Sequence, residues 1–562
     1  MDEHASTLLT NRHGGYAWLA AQPESRYQGV FFRLGDTLFR TVAHLGINQP
    51  LRGITNMLWG VQREYETMRQ RLTMPAGTNA LLVELSTPVP VELVFDCKNI
   101  NDNREWGREY AIARAGNTLV ITFRKRNDAR DDNRVHDKEY DLHLALAGEH
   151  IEFFPVQQWI EHRYAYDESR KSQPWSRWVF NAGTVHAQSF VIAAAHSKAQ
   201  AVREAQQVLR ARMRLVHHDV QHVEKTIRHV PLQNKKLDLA YQCARHALDA
   251  LVVDNKELVA GYPWFYQQWT RDALVSSKAL ALIGHHALAK KLVQHFAAQK
   301  ELFTRPGSQL HAADAAGWIA MRMHDLASLF TAKEKEKVLA GLQKHYQQLH
   351  FDQGLVVHGA HETWMDSEPR EGARIEVQAL ATTLAQTLGK HDTVHALRHR
   401  VRETFWNGTF LHDGLNDATI RPNVFIAAYA YPDLLSREEW EKCFNTILPK
   451  LWLSWGGLAT IDKNDPSFHD AHTGEDPASY HHGDSWFWLN NLAALVLHRT
   501  NQAKYKSYIN QILEASSHEI LELGAIGHHA ELSSARALSS HGCVSQAWSA
   551  AMFIELCHEL GS

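Results

Sequence analysis

Near residue 195 the hydrophobic pattern of the chain changes period, from one suited to strands to one suited to helices. One kind of layer cannot bury both patterns, so the chain must divide. Upstream, Ala80–Glu84 and Val91–Cys97 are β-branched runs broken by Ser86-Thr87-Pro88. Thr118–Phe123 follows a Gly116-Asn117 turn, and Tyr140–Leu146 alternates before a glycine-containing turn leads into His150–Phe154. Short strands at this spacing, with one charged loop at Arg126–Lys138, predict an antiparallel sandwich.

Downstream, Lys198–Leu215 is an amphipathic helical stretch suited to connecting the halves. From Leu237 onward roughly twelve helical segments follow. They include Leu237–Val252, Asp272–Gly284, His286–Gln299, Ala312–Leu329, Glu334–His350, Arg374–Leu388, Thr393–Phe405, Arg437–Leu448, Ser485–Arg499, Lys504–Ser517 and Val544–Glu559. Many are apolar on more than one face, which calls for neighbours on both sides. Such a series fits a double-layered (α/α)6 barrel. A solenoid of helix pairs is the alternative, and the absence of a fixed repeat counts against it. The expected domains are a β-sandwich over 1–197, a helical linker over 198–230 and the barrel over 231–562.

With 59 basic and 62 acidic residues the net charge is -3, and no basic stripe marks a nucleic-acid partner. The opening MDEHASTLLTNRHGG lacks the basic-then-apolar order of a signal peptide, and no stretch has transmembrane length. Five dispersed cysteines without a short-spaced pair predict a reduced, cytoplasmic protein. The 37 histidines include HxxxH spacings at His218/His222 and along His391, His395 and His399, frequent enough to arise by composition, so no metal is expected. Seventeen tryptophans suit the flat C–H faces of a neutral sugar, although tryptophan is equally a core residue.

The segments 255–271, 351–373 and 451–484 are long for loops, aromatic, and rich in Gly, His, Asp and Glu, which points to function. Gly261-Tyr-Pro-Trp-Phe265 precedes Trp269-Thr-Arg-Asp272, where Asp272 opens a helix as an N-cap or as a site residue. His361-Glu-Thr-Trp-Met-Asp366 precedes Gly372-Ala-Arg-Ile-Glu-Val-Gln-Ala-Leu380, where Glu376 is an exposed helix position or points inward. Tyr480-His-His-Gly-Asp-Ser-Trp486 ends at another helix start, and Gly527-His-His-Ala-Glu-Leu532 precedes Gly542-Cys-Val-Ser-Gln-Ala-Trp548. Four regions thus bring acids and aromatics together, and glycoside hydrolysis needs two carboxyls flanking one bond.

In this order the motifs resemble those of the amylo-α-1,6-glucosidase family, the C-terminal catalytic region of glycogen debranching enzymes. Asn11-Arg-His-Gly-Gly-Tyr16 and Ser25-Arg-Tyr-Gln-Gly29 resemble that family's N-terminal β-domain, so the likeness spans nearly the whole chain. Thr270 and Ala273 depart from the family's usual neighbours of its Arg-Asp pair. The resemblance implies a β-sandwich followed by an (α/α)6 barrel, and an inverting hydrolase for α-1,6-linked glucosyl stubs of branched α-glucan. It also implies Asp272 as general acid and Glu531 as general base. Asp366 and Glu376 would orient sugar hydroxyls, with Trp264, Trp364, Trp486 and Trp548 as walls. Trp269, Arg271, His481, His482, Asp484 and Gln546 complete the expected substrate-binding set.

On this reading Asp272 keeps a proton because its apolar surroundings raise its pKa, and Glu531 stays ionised to activate water. No cofactor is expected. The chain has no βα alternation for a glucanotransferase barrel. Another (α/α)6-barrel exo-glucosidase of glucoamylase or trehalase type, a sugar phosphorylase, and a non-catalytic carbohydrate-binding protein remain as alternatives. The oligomeric state is not legible in the sequence.

Overall fold

A computed structural model describes residues 6–131, 138–226, 232 and 234–561. Residues 132–137 of the expected charged loop and 227–230 of the expected linker lie outside the described residues. The chain divides into two compact units, Met1–Ile227 with Gly524–Gly527, and Arg228–Leu523 with His528–Ser562.

The first unit holds two antiparallel sheets. One has seven strands in the order Thr7–Thr10, Tyr16–Leu19, Gly29–Leu34, Thr37–Gly46, Pro90–Asn99, Ser176–His186 and Glu152–Arg163. The other has eight, in the order Arg108–Ala115, Thr118–Lys125, Tyr140–Gly148, Ser189–Ala195, Ala80–Leu85, Arg69–Thr73, Val61–Tyr65 and Leu51–Asn56. Phe32, Phe39, Phe95 and Phe180 of the first sheet and Leu81, Ile121, Phe123 and Leu144 of the second share one core. Because side chains alternate along a strand, the intervening residues face the other way. In the larger sheet these are mostly small, Ala80, Ala145, Ala147, Ala193 and Ala195 beside Leu82 and Val191, and a helix lies close upon them through Ala201, Ala205 and Val208. That helix is Lys198–Thr226, longer than its apolar pattern suggests. The strand expected at His150–Phe154 spans Glu152–Arg163, much of it exposed.

The second unit carries eleven α-helices among the described residues, from Lys235–Ala250 to Ala547–Gly561. The expected segments recur with shifted ends. Ser485–Arg499 and Lys504–Ser517 become one element, Phe487–Glu522, broken at Asn501, where φ is -162° and ψ 87°. Ala312–Leu329 resolves into Ala315–Asp325 and a 3-10 turn at Ala327–Leu329. Thr270–Leu282 packs against Ala315–Asp325, which packs against Ile375–Thr387, and the series continues through Asn423–Ala430, Phe487–Glu522 and Ala547–Gly561 back to Thr270–Leu282. His286–Ala298, Ala332–Gln347, His391–Phe405 and Arg437–Leu451 pack against members of this series or each other. Gly317 permits one close crossing, since a Cβ there would lie 2.4 Å from Leu380 Cβ. The five cysteines are buried, and none forms a disulfide. No helix among the described residues is long and apolar enough to cross a membrane.

Candidate active site

Four of the six helices of the closed series begin within or directly after a chemistry-bearing motif. Asp272 is the third residue of Thr270–Leu282, Glu376 the second of Ile375–Thr387, and Asn423 the first of its helix. Trp486 immediately precedes Phe487–Glu522, and Gln546 immediately precedes Ala547–Gly561. Two short strand pairs lock the motifs to one another. Gly261 and Tyr262 pair with Gln546 and Ser545, while Ser485 and Trp486 pair with Ser533 and Leu532. The first, third and fourth motifs therefore meet through backbone hydrogen bonds.

Trp269, not Asp272, occupies the N-cap position, and it makes no side-chain cap bond. The capping role weighed for Asp272 falls because its carboxyl turns into the unit, where it is 5% exposed and Oδ1 accepts a bond from Gln546 Nε2 at 2.9 Å. Burial is the main reason its pKa is pushed up to about 8. The Arg271 guanidinium and the Gln546 amide oppose that rise, and the negative charge of Glu531 adds to it. The two carboxyls are thus close enough to sense each other.

Glu531 is 1% exposed but well supplied with donors. The Cys543 backbone N–H donates to Oε2 at 2.8 Å, and the Tyr480 hydroxyl makes a short bond to Oε1. Gly542 is required here, since a Cβ would sit 2.3 Å from Oε2 and φ is +70°. Burial and the Glu531 charge raise the Tyr480 pKa well above its usual value, so the phenol remains a donor.

An aromatic cluster adjoins these acids. Trp364 meets His481, Trp486 and Trp488 edge-on at 5.2, 5.4 and 5.3 Å. His481 stacks on Trp486, and Trp548 stacks on Trp488 at 4.8 Å. At 2% exposure, with its indole N–H bonded to Asn423 Oδ1 at 2.7 Å, Trp364 is more deeply embedded than an open wall. Trp269 and Trp548 each bury an indole N–H without a hydrogen-bond partner. Trp264 is half-buried in the first loop.

Several expected sugar contacts are engaged by protein. Glu376 is not the exposed helix position weighed for it, because Arg370 clasps its carboxylate at 2.7 and 3.2 Å and holds Asp413 as well. Arg271 grips Asp314 at 2.8 Å and the Glu362 carbonyl at 3.0 Å. Asp484 accepts from Ser479 and meets His472, both at 2.7 Å, and His482 lies 3.1 Å from Glu368. Asp366 is the more open carboxylate, 35% exposed, with His481 Nε2 at 4.0 Å. His481 is buried, and burial lowers its pKa, keeping the ring neutral. Sequence reasoning missed Tyr480, which stood inside a quoted motif, and Arg370, Asp413 and Asn423, which carry no motif signal. No cluster of three or more metal-ligating side chains occurs among the described residues.

A family model described as amylo-alpha-1,6-glucosidase matches residues 246–555, more than half of the chain and every site residue above. The chain belongs to the amylo-alpha-1,6-glucosidase family. It is therefore placed among glycoside hydrolases, as its sequence motifs anticipate. No curated protein matches this family member. Among solved structures, a glycosidase variant in complex with glucose is 14% identical, with a TM-score of 0.46 over 59% of this chain and 99% of that one. A wild-type glycosidase gives 14%, 0.45, 59% and 99% for the same measures. An uncharacterized conserved protein from Thermus thermophilus gives 11%, 0.43, 56% and 98%.

Proposed function

We propose that this member of the amylo-alpha-1,6-glucosidase family is an inverting α-glucosidase that releases glucose from α-1,6-linked stubs of branched α-glucan. The observation that carries the chemistry is the contrast between two neighbouring buried carboxyls. Asp272 is pushed toward its protonated form by burial. Glu531 accepts hydrogen bonds from the Tyr480 hydroxyl and the Cys543 backbone N–H, the setting of the proposed proton acceptor. One proton donor beside one proton acceptor is what inversion requires.

In the proposed reaction Asp272 gives its proton to the glycosidic oxygen as the bond to the anomeric carbon breaks. Glu531 takes a proton from the water that attacks the opposite face. Room for that water calls for carboxyls about 6.5–9.5 Å apart. Trp264, Trp364, Trp486 and Trp548 shape the sugar site, and Asp366 is the carboxylate best placed to accept a sugar hydroxyl. No cofactor enters this scheme. The self-closing helix series supports reading residues 231–562 as an (α/α)6-barrel domain, preceded by a β-sandwich domain over 1–197 and a linker over 198–230 that contains the helix Lys198–Thr226. Five cysteines outside any disulfide suit a reducing compartment, and we place the protein in the cytoplasm.

A glucoside panel tests the linkage. Purified protein is expected to release glucose from a branched limit dextrin carrying single α-1,6-linked glucosyl stubs and from α-1,6-linked oligosaccharides, equally with and without phosphate. Release from trehalose or linear maltosaccharides alone would overturn the linkage assignment, and phosphate-dependent release would indicate a phosphorylase. Failure on every glucan would leave a carbohydrate-binding protein.

A further inference from the structure

We propose that Gln546 is a positioning residue that fixes which oxygen of Asp272 carries the transferable proton. The proposal rests on the reading of Asp272 as general acid. A protonated carboxyl has one carbonyl oxygen and one hydroxyl oxygen, and an N–H donor is best accepted by the former. Gln546 Nε2 donates to Oδ1 at 2.9 Å, which leaves the proton on Oδ2. With its amide reversed, the acid would give its proton to Gln546 Oε1 and hold it away from a substrate.

The surroundings hold Gln546 in place. The residue is 2% exposed and pairs with Gly261 across the strand bridge. Its backbone N–H donates to the His529 carbonyl at 2.9 Å, two residues before Glu531, and the next N–H, of Ala547, donates to Ala260 at 2.8 Å. One residue thereby ties the segment bearing the proposed base to the loop leading to the proposed acid. Gly261 lets the Gln546 amide pack close, since a Cβ there would lie 2.5 Å from Oε1. Oε1 itself is buried without a partner, and the bond from Nε2 to Asp272 Oδ1 orients the amide.

A sugar-binding role and a positioning role separate on leaving group and pH. The charges that act on Asp272 from its own helix and from the facing segment are Arg271 and Glu531, and neither changes when Gln546 is replaced. Gln546→Leu removes the donor, and Gln546→Glu keeps the shape while replacing the donor with a carboxyl. Both are expected to lower kcat on an α-1,6-linked disaccharide by at least about 10-fold, with KM changed by less than about 2-fold. Both should turn over α-glucosyl fluoride, whose leaving group needs no proton, close to the wild-type rate. The N–H favours the carboxylate, so its loss should move the upper limb of the kcat/KM profile to higher pH, further for Gln546→Glu. Equal losses on both substrates, with raised KM and an unmoved upper limb, would make Gln546 a sugar contact and overturn the proposal. Thermal melts identify a variant that fails to fold, in which case the other variant decides. If Asp272→Asn is itself not rescued by the fluoride, the acid assignment fails and this proposal with it. Rescue of Asp272→Asn without rescue of the Gln546 variants overturns the positioning role alone.

Discussion

Glu531→Gln is expected to lower turnover by on the order of 10²–10⁴-fold, and no change of leaving group should restore it. The substitution keeps the side chain's size, and its amide oxygen still accepts from Tyr480 or Cys543, the two donors that hold Glu531. What it removes is the ability to take a proton from water. Asp272→Asn should cost a similar factor on an α-1,6-linked glucoside but recover on α-glucosyl fluoride, because fluoride departs unprotonated. Steady-state rates of both variants on both substrates make the comparison. Rescue of Glu531→Gln in place of Asp272→Asn would reverse the roles and bring Asp366 into consideration as the remaining open carboxylate.

The same Asp272→Asn change is expected to stabilise the protein, by an amount that depends on pH. Folding raises the Asp272 pKa to about 8, chiefly through burial. An unfolded Asp titrates near 3.9, so between these values the folded chain holds a proton that the unfolded chain has released. Stability contributed at this position therefore falls as pH rises through the window, and it levels off above pH 8. Asparagine has no such penalty and still accepts from Gln546 Nε2. The gain from Asp272→Asn should be absent near pH 4 and reach on the order of 5 kcal/mol by pH 8. Urea unfolding of both proteins at pH 5 and pH 8 measures it. A gain of equal size at both values would mean that burial does not hold the carboxyl protonated.

The division into strands and helices was legible because each half keeps its own hydrophobic period over many residues. Asn423–Ala430 escaped notice for a physical reason. All eight of its residues are buried, so it has no polar face and hence no amphipathic rhythm. Asp272 stood out because aromatic and amide residues crowd around it in sequence, whereas Glu531 stood out only through the resemblance of its motif. Their partners did not, since Gln546 reaches Asp272 across 274 positions of chain. The buried set Arg370, Glu376, Asp413 and Asn423 is assembled from two connecting segments and two helix starts scattered along the chain, and nothing in their local sequence separates a carboxylate held by arginine from one open to a sugar. The strand pairs that lock the motifs are two residues long, too short to leave a pattern.

The stereochemistry of the first product tests the central claim most directly. Proton NMR of the wild-type protein acting on an α-1,6-linked glucoside, recorded before mutarotation, should show β-glucose appearing first, because Glu531 directs water to the face opposite the departing oxygen. α-Glucose appearing first would contradict inversion, and with it the pairing of Asp272 and Glu531 as acid and base.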